Sequence, residues 1–252
     1  MLRPQSLLRV VLIPFAFTAC ADTREVAGPL TAAPRLEADV APAAEAATRT
    51  YDVTITNLTT GQPFSPGVLA THTKQAAFFH VGDPASEGLR LIAENGDETA
   101  AVAELTGRPG VFQVVDVNAP TGRVGGSLPT SRTFRIEAAA NANRISLAVM
   151  LICTNDGFTG LDGVALPGGF KPLTYYTAGY DAGTEANDEL STSIVDACFA
   201  IGPTTRPPDG NARTPTIGVI EHHPGIQGVG DLDPTLHGWR DPVARITIRR
   251  VQ

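Results

Sequence analysis

Apolar and polar positions alternate with the two-residue period of half-buried β-strands in several segments of the chain. In residues 51–58, Val53 and Ile55 fall on one face and threonines on the other. Residues 245–249 alternate in the same way, so the first and last strands could share one sheet. Further strands are predicted at 67–72, 111–117, 133–138, 144–152, 173–179 and 216–222. Because Gly-, Pro- and Asn-rich turns separate the segments, the pattern predicts an all-β antiparallel sandwich.

Two short helices are predicted between the early strands, both as connectors. In the first, Asp83 is the expected N-cap, Pro84 fits the first turn and Gly96 ends the helix. The second covers about residues 98–105 and ends before Gly107. Composition agrees with a turn-rich β-protein, since the chain has 25 Gly and 20 Pro but only 18% charged residues.

The N-terminus has the pattern of an export signal. Arg3 and Arg9 accompany a short apolar stretch at 10–17, which is too short for a membrane-spanning helix of about 20 residues. The Phe-Thr-Ala-Cys sequence at 17–20 resembles a bacterial lipobox, in which the cysteine becomes the lipidated first residue. Residues 1–20 are therefore predicted as a lipoprotein-type signal peptide with Cys20 as the lipidation site.

Residues 21–49 are rich in Ala, Pro, Thr and acids and contain no aromatic residue. Such a segment buries little apolar surface, so we predict a disordered tether that precedes a folded domain at 50–252. The expected location is the cell envelope, with the chain lipid-anchored at the outer membrane or periplasmic face, or secreted. A net charge of −7 without any Lys/Arg-rich run argues against nucleic acid as a partner.

Cysteine usage fits export. With Cys20 assigned to the lipid, Cys153 and Cys198 remain, and exported proteins often pair two remaining cysteines. A disulfide is predicted, with two buried free thiols as the alternative. Because Cys153 lies three residues before Asp156, the bridge would also stiffen the segment that carries this acid.

Two short acidic segments carry the candidate chemistry. Residues 154–158 read Thr-Asn-Asp-Gly-Phe and follow the very apolar 144–152 segment, which is predicted as a central strand. Residues 180–185 read Tyr-Asp-Ala-Gly-Thr-Glu. Their three carboxylates, from Asp156, Asp181 and Glu185, are hard oxygen donors of the kind that Ca²⁺ prefers. Solvated loop carboxylates are the alternative interpretation.

The order of several short motifs resembles the spondin N-terminal domain family in its bacterial form. The motifs are Tyr-Asp-Val-Thr-Ile-Thr-Asn at 51–57, Gly-Asp-Pro at 82–84, Asn-Asp-Gly-Phe at 155–158, Asp-Ala-Gly-Thr-Glu at 181–185 and Arg-Ile-Thr-Ile at 245–248. The resemblance covers about residues 50–252. It implies a C2-like, eight-stranded β-sandwich with Ca²⁺ bound between loops at one end.

The resemblance also implies ligands and a function. The family's acidic ligands fall on Asp156, Asp181 and Glu185, and Glu185 stands where animal members carry Asp. Animal spondin domains belong to extracellular-matrix and adhesion proteins. A non-enzymatic adhesion or ligand-binding module is therefore expected, with a glycan, a lipid headgroup or a protein as its surface ligand and a membrane reached through the lipid anchor.

A different function would use the histidines near the C-terminus. Glu221, His222 and His223 are consecutive, and His237 follows, so this region could hold Zn²⁺ in a periplasmic hydrolase. Adjacent histidines on a strand point to opposite faces, which works against a shared ion. Neither a His-Glu-x-x-His run nor a nucleophile motif is present in the sequence. Histidines at the surface or in turns are the alternative interpretation.

Overall fold

The computed structural model describes residues 48–201 and 213–252. The predicted signal peptide, Cys20 and nearly all of the predicted tether lie outside these ranges. The strands are β1 Arg49–Asn57, β2 Phe64–His72, β3 Val111–Val117, β4 Ser131–Ala138, β5 Arg144–Leu151, β6 Gly157–Ala165, β7 Leu173–Thr177, β8 Tyr180–Asp181, β9 Glu221–His222 and β10 Ala244–Arg250. The helices are α1 Glu87–Asn95, α2 Thr99–Leu105, α3 Pro234–His237 and a 3₁₀ helix at Asp196–Ile201.

The strands form two antiparallel sheets, and the predicted all-β sandwich is confirmed. One sheet has the order β4-β1-β10-β7 and the other has the order β3-β2-β5-β6-β8-β9. The first and last strands are hydrogen-bonded neighbours, with Val53 opposite Ile248, as their common pattern suggested. The described residues form ten strands rather than the eight that the resemblance implied, because β8 and β9 are additional two-residue strands at the edge of the larger sheet.

Strand β5 is buried on both faces, which explains its nearly continuous apolar run. Its residues Leu147 and Val149 belong to the core between the two sheets. Ala148 and Met150 point the other way, into a second core that α1 and α2 cover. Two-sided burial removes the need for polar positions, so the strand departs from the alternation of half-buried strands. The predicted central strand is thus confirmed.

Helix α1 begins later than predicted. Asp83 and Pro84 precede the helix, and the N-cap is Ser86, whose Oγ accepts a hydrogen bond from the Leu89 amide at 3.3 Å. Serine and aspartate cap helices about equally well, so local sequence did not decide between them. The end was predicted correctly, because Gly96 adopts the left-handed conformation with φ 66°.

The second half of the chain departs most from the predicted strands. Strand β6 was missed, because residues 157–165 combine three glycines with an irregular polar pattern. The strand predicted at 216–222 is reduced to β9. Residues before it instead hydrogen-bond to a loop, since the Thr216 and Gly218 amides donate to the carbonyls of Thr184 and Gly183. Strand β7 ends at Thr177, two residues before its predicted end.

The first and last residues of the domain lie together at one end of the sandwich. The acidic segments lie at the other end. The Thr50 amide donates to the Gln252 carbonyl, so entry and exit are adjacent. At the other end of β1, the Asn57 amide side chain donates to the Gln62 carbonyl at 2.7 Å. The Gln62 side chain in turn bonds both backbone polar atoms of Cys153, just before Asp156. Glu45–Gln252 forms one compact unit that contains both sheets and both cores.

Candidate cation site at one end of the sandwich

The turn between β5 and β6 places Asp156 in the interior. Thr154 closes this turn: its hydroxyl donates to the Leu151 carbonyl at 2.6 Å and accepts from the Gly157 amide at 2.8 Å. A β-carbon at Gly157 would lie 2.5 Å from the Thr154 hydroxyl, so the turn requires glycine there. The side chain of Asp156 is consequently fully buried, with 0% exposure.

The predicted disulfide between Cys153 and Cys198 is confirmed, and it lies directly before this turn. Both cysteines are completely buried. The bridge links the end of β5 to the 3₁₀ helix, over a separation of 45 residues. Together with Gln62, it fixes the backbone from which Asp156 projects.

Asp156 organises the second acidic segment with one of its two oxygens. Its Oδ2 accepts hydrogen bonds from the Thr184 amide at 2.7 Å, the Glu185 amide at 3.0 Å and the Thr184 hydroxyl at 3.2 Å. The backbone carbonyl of Asp156 accepts from the Ala182 amide. Its other oxygen, Oδ1, is buried and has no hydrogen-bond partner.

Glu185 is the second carboxylate with an unsatisfied oxygen. The residue is only 2% exposed, and its Oε1 accepts a hydrogen bond from the Asn155 side-chain amide at 3.3 Å. Its Oε2 is buried without a partner. Asn155 is itself held in place, since it also donates to Asp188 at 2.9 Å and accepts from the Glu189 amide at 3.1 Å. Sequence reasoning missed this positioning role, although Asn155 is adjacent to Asp156.

Asp181 is buried too, but both of its oxygens are used. Oδ1 accepts from the Gly183 amide at 2.7 Å, and Oδ2 accepts from the Asn187 side-chain amide at 2.5 Å. Gly183 has a φ of 72°, and a β-carbon there would lie 2.7 Å from backbone atoms of Val219. The loop after β8 therefore turns tightly around the Asp181 carboxylate.

The surroundings favour the protonated forms of two of these acids. Burial raises the pKa of Asp156 to about 6, and the nearby Asp181 carboxylate adds to the effect. Burial also raises the pKa of Glu185 to about 8, with further contributions from Glu94 and Asp156 that the Asn155 hydrogen bond opposes. A nearby cation would favour the charged forms instead.

An open cleft of about 410 Å³ lies over the site. Asp181 and Glu185 line the cleft, whereas the fully buried Asp156 is not among its described lining residues. The other described lining residues include Asn187, Thr216 and Glu221. Among the described residues, the ligand oxygens of the three predicted acids do not all lie within 4.8 Å of one another. The acids therefore share one region without forming a closed cluster.

This donor set fits a hard cation. Asp156 and Glu185 both have a buried oxygen without a partner, and every predicted donor is a carboxylate oxygen. Unsatisfied buried carboxylate oxygens are costly, and a divalent ion with oxygen preference removes that cost. The chemistry is consistent with the Ca²⁺ interpretation from the sequence.

The histidines of the alternative site point to different surroundings. His222 is exposed and is hydrogen-bonded to Asp241, with 2.5 Å between Nε2 and Oδ2. His223 is buried, accepts from the Gly225 amide at 2.9 Å and lies 5.0 Å from the Trp239 ring. Burial lowers the pKa of His223 to about 4, so it is neutral at pH 7.

His237 lies elsewhere, next to the disulfide. Its ligand nitrogen and the sulfurs of Cys153 and Cys198 are within 4.8 Å of one another. Both sulfurs are bound in the disulfide, so they offer no thiolate for a metal. Within the described chain, the ring nitrogens of His222, His223 and His237 do not come within that distance of one another. The zinc-hydrolase alternative gains no support from this geometry.

The fold and site define a β-sandwich domain with acidic loops gathered at one end. The sequence matches Spondin_N, the spondin N-terminal domain, over residues 49–194, which is more than half of the chain. The chain therefore belongs to the spondin N-terminal domain family. The match includes Asp156, Asp181 and Glu185 and ends before Cys198.

A search of the curated proteins found no match. Among the described residues, no helix is long and apolar enough to cross a membrane.

Proposed function

We propose that this protein is a lipid-anchored cell-envelope lipoprotein whose spondin domain binds Ca²⁺ and acts as a non-enzymatic adhesion or ligand-binding module. Asp156, Asp181 and Glu185 would hold the ion, which would supply positive charge to an end of the domain that is otherwise acidic. Asn155 would keep Glu185 in position. The anchor at Cys20 and the tether remain predictions from the sequence.

The observation that carries the proposal is the pair of buried oxygens without partners, Asp156 Oδ1 and Glu185 Oε2. Hydrogen bonds from the Thr184 and Glu185 amides to Asp156 Oδ2 fix both acids in one rigid loop pair. Because these bonds already hold the two acidic segments together, less ordering remains when an ion arrives. Membership of the spondin family supports the same interpretation.

The position of the site supports a binding role. The chain enters the domain next to Gln252, at the end opposite the acidic loops. A domain tethered at Arg49 can therefore present these loops away from its attachment point. The loops also carry exposed aliphatic side chains, including a fully exposed Ile217 and a partly exposed Val219. Exposed apolar groups beside an ordered polar site are typical of interaction surfaces.

Thermal unfolding of Glu45–Gln252 in EDTA and across a Ca²⁺ titration tests the proposal. An ion that binds only the folded state stabilises it by about 2.7 kcal/mol at a hundredfold excess over Kd. We expect Tm to rise with Ca²⁺ in the natural domain and to stay constant in Asp181→Ala. Asp116→Ala, which changes an exposed aspartate on β3, is the matched control and should retain the full shift.

Absence of a Ca²⁺-dependent shift in the natural domain would refute the calcium part of the proposal. An equal shift in the natural domain and in Asp181→Ala would place the ion elsewhere on the chain. Full-length protein expressed with Cys20→Ser, compared with the natural chain by membrane fractionation, tests the anchor separately. We expect the natural chain in the membrane fraction and the variant in the aqueous fraction.

A further inference from the structure

Glu221 is brought to the acidic cleft by the edge of the larger sheet. In the pairing of β8 with β9, Asp181 lies opposite Glu221 and Tyr180 lies opposite His222. Residues directly opposite each other project to the same face of a sheet, with β-carbons about 4.5–5.5 Å apart. Glu221 therefore shares a face with Asp181, while His222 projects to the other face, where it meets Asp241.

The acidic residues of the cleft have no basic residue beside them in its described lining. Asp181, Glu185 and Glu221 all line it, and none of its described lining residues is basic. Arg213 lies nearby, but its guanidinium binds the side chains of Glu94 and Asn95. Like charges directly opposite each other in a sheet are destabilising. Asp181 and Glu221 are such a pair, so the arrangement favours an external cation.

Two observations separate Glu221 from an ordinary solvated glutamate. It lines the same cleft as Glu185, whose Oε2 is buried and without a partner. In addition, the backbone of β9 is fixed: the Ile220 amide donates to the Asp83 carbonyl, and the His223 amide donates to the Gly179 carbonyl. The side chain of Glu221 is exposed on this fixed backbone and can turn into the cleft.

We propose that Glu221 is a fourth carboxylate of the cation site, supplied by β9 and closing the site from the solvent side. This inference rests on the proposed calcium function. Ca²⁺ accepts six to eight oxygen ligands, so a fourth carboxylate is compatible with its coordination. Mg²⁺ requires a tighter octahedron and retains several waters, so it gains less from an added carboxylate. Glu221 thus favours Ca²⁺ over Mg²⁺.

The test is calorimetric titration of Glu45–Gln252 with Ca²⁺ alone. We expect Glu221→Gln to weaken the Ca²⁺ affinity roughly tenfold, the lower end of what loss of a supporting ligand group costs a metal site. Glu137→Gln removes the same charge from an exposed position on β4 in the other sheet, and it should leave the affinity unchanged. Asp181→Ala should abolish binding. Circular dichroism verifies that each variant is folded.

A second readout separates a ligand from a charge that only attracts the ion. Luminescence lifetimes of bound Eu³⁺ in H₂O and D₂O count the waters on the ion. With Glu221 replaced by Ala, which has no side-chain oxygen, we expect about one additional water, because solvent takes the position that the carboxylate leaves. Weaker affinity with an unchanged water count would overturn the role of Glu221 as a ligand.

The outcomes of the two proposals are distinguishable. If the natural domain binds Ca²⁺ and Asp181→Ala does not, the calcium site stands. Equal affinities of Glu221→Gln and the natural domain would then overturn the fourth-ligand proposal alone. If the natural domain binds no Ca²⁺, both proposals fail together.

Discussion

Five carboxylates are buried among the described residues, and the domain satisfies them in different ways. Glu94 on α1 is 1% exposed and Glu189 in the loop after β8 is 3% exposed. Glu94 Oε2 binds the guanidinium groups of Arg90 and Arg213. Asp156 and Glu185 are buried just as deeply, at 0% and 2%, yet each has one oxygen without a partner.

Glu189 shows that the fold can satisfy a buried carboxylate without an arginine. Its Oε1 accepts from the Gln227 amide at 2.6 Å, and its Oε2 accepts from the Val229 amide at 2.9 Å. Backbone donors on both oxygens lower the cost of burying the charge. Burial alone therefore does not mark a cation site. The distinguishing feature is a buried carboxylate that the chain leaves incompletely bonded.

The largest expected effect comes from the disulfide next to Asp156. Replacing both Cys153 and Cys198 by serine should lower the free energy of unfolding by about 4 kcal/mol, because the unfolded chain regains the freedom of a long loop. The Ca²⁺-dependent shift should also shrink, since the turn before Asp156 loses a constraint. Urea denaturation with and without Ca²⁺ measures both effects. A loss below about 1 kcal/mol contradicts this expectation.

A smaller effect is expected in the region that satisfies its carboxylate internally. Glu94→Gln should lower the free energy of unfolding by about 2–3 kcal/mol, because charged hydrogen bonds to two arginines are lost. The Ca²⁺-dependent shift should persist. Urea denaturation measures the loss.

Glu87→Gln is the matched control for this substitution. It removes the exposed partner of the same Arg90 and should cost less than about 1 kcal/mol. If Glu94→Gln lowers the free energy of unfolding no more than this control does, the contacts of Glu94 with the arginines contribute little. If it abolishes the Ca²⁺ response, Glu94 is not independent of the cation site.

Sequence patterns predicted the sandwich and much of its core because those features depend on local periodicity. The apolar run in β5, the matching alternation of β1 and β10 and the glycine that ends α1 are all local signals. The confirmed disulfide followed from the count of cysteines in a chain read as exported. The two acidic segments indicated the three acids by their composition, and the family resemblance then supported them as ligands.

The rest depended on contacts between distant residues. Gln62 binds Cys153 and His237 through its side chain, and nothing near Gln62 in the sequence indicates either partner. Glu221 was grouped with His222 and His223 because it precedes them in the chain. Alternation along β9 instead sends Glu221 toward Asp181 and His222 toward Asp241. The pairing of β8 with β9, which lie about 40 residues apart in the chain, determines these two directions.

The smallest effect concerns how the free energy of unfolding of the metal-free domain depends on pH. The pKa of Glu185 is raised from 4.5 to about 8 by burial, so the folded state retains a proton that the unfolded state releases. Stability from this proton is complete below pH 4.5 and is lost as the pH rises through about 8. In EDTA, the free energy of unfolding should fall by about 1–2 kcal/mol between pH 5 and pH 8.

Glu185→Gln should reduce this pH dependence, because an amide occupies the buried position without a charge at any pH and only the part due to Asp156, whose pKa is raised to about 6, is left. At pH 8 the metal-free variant should match or exceed the natural domain, by about 1 kcal/mol at most, while its Ca²⁺ response disappears. Urea denaturation at pH 5 and pH 8, with EDTA or Ca²⁺, measures all these quantities. Ca²⁺ should stabilise the natural domain more at pH 8, because fewer protons then compete for the carboxylates. A variant as pH-dependent as the natural domain would show that Glu185 is not the group that titrates.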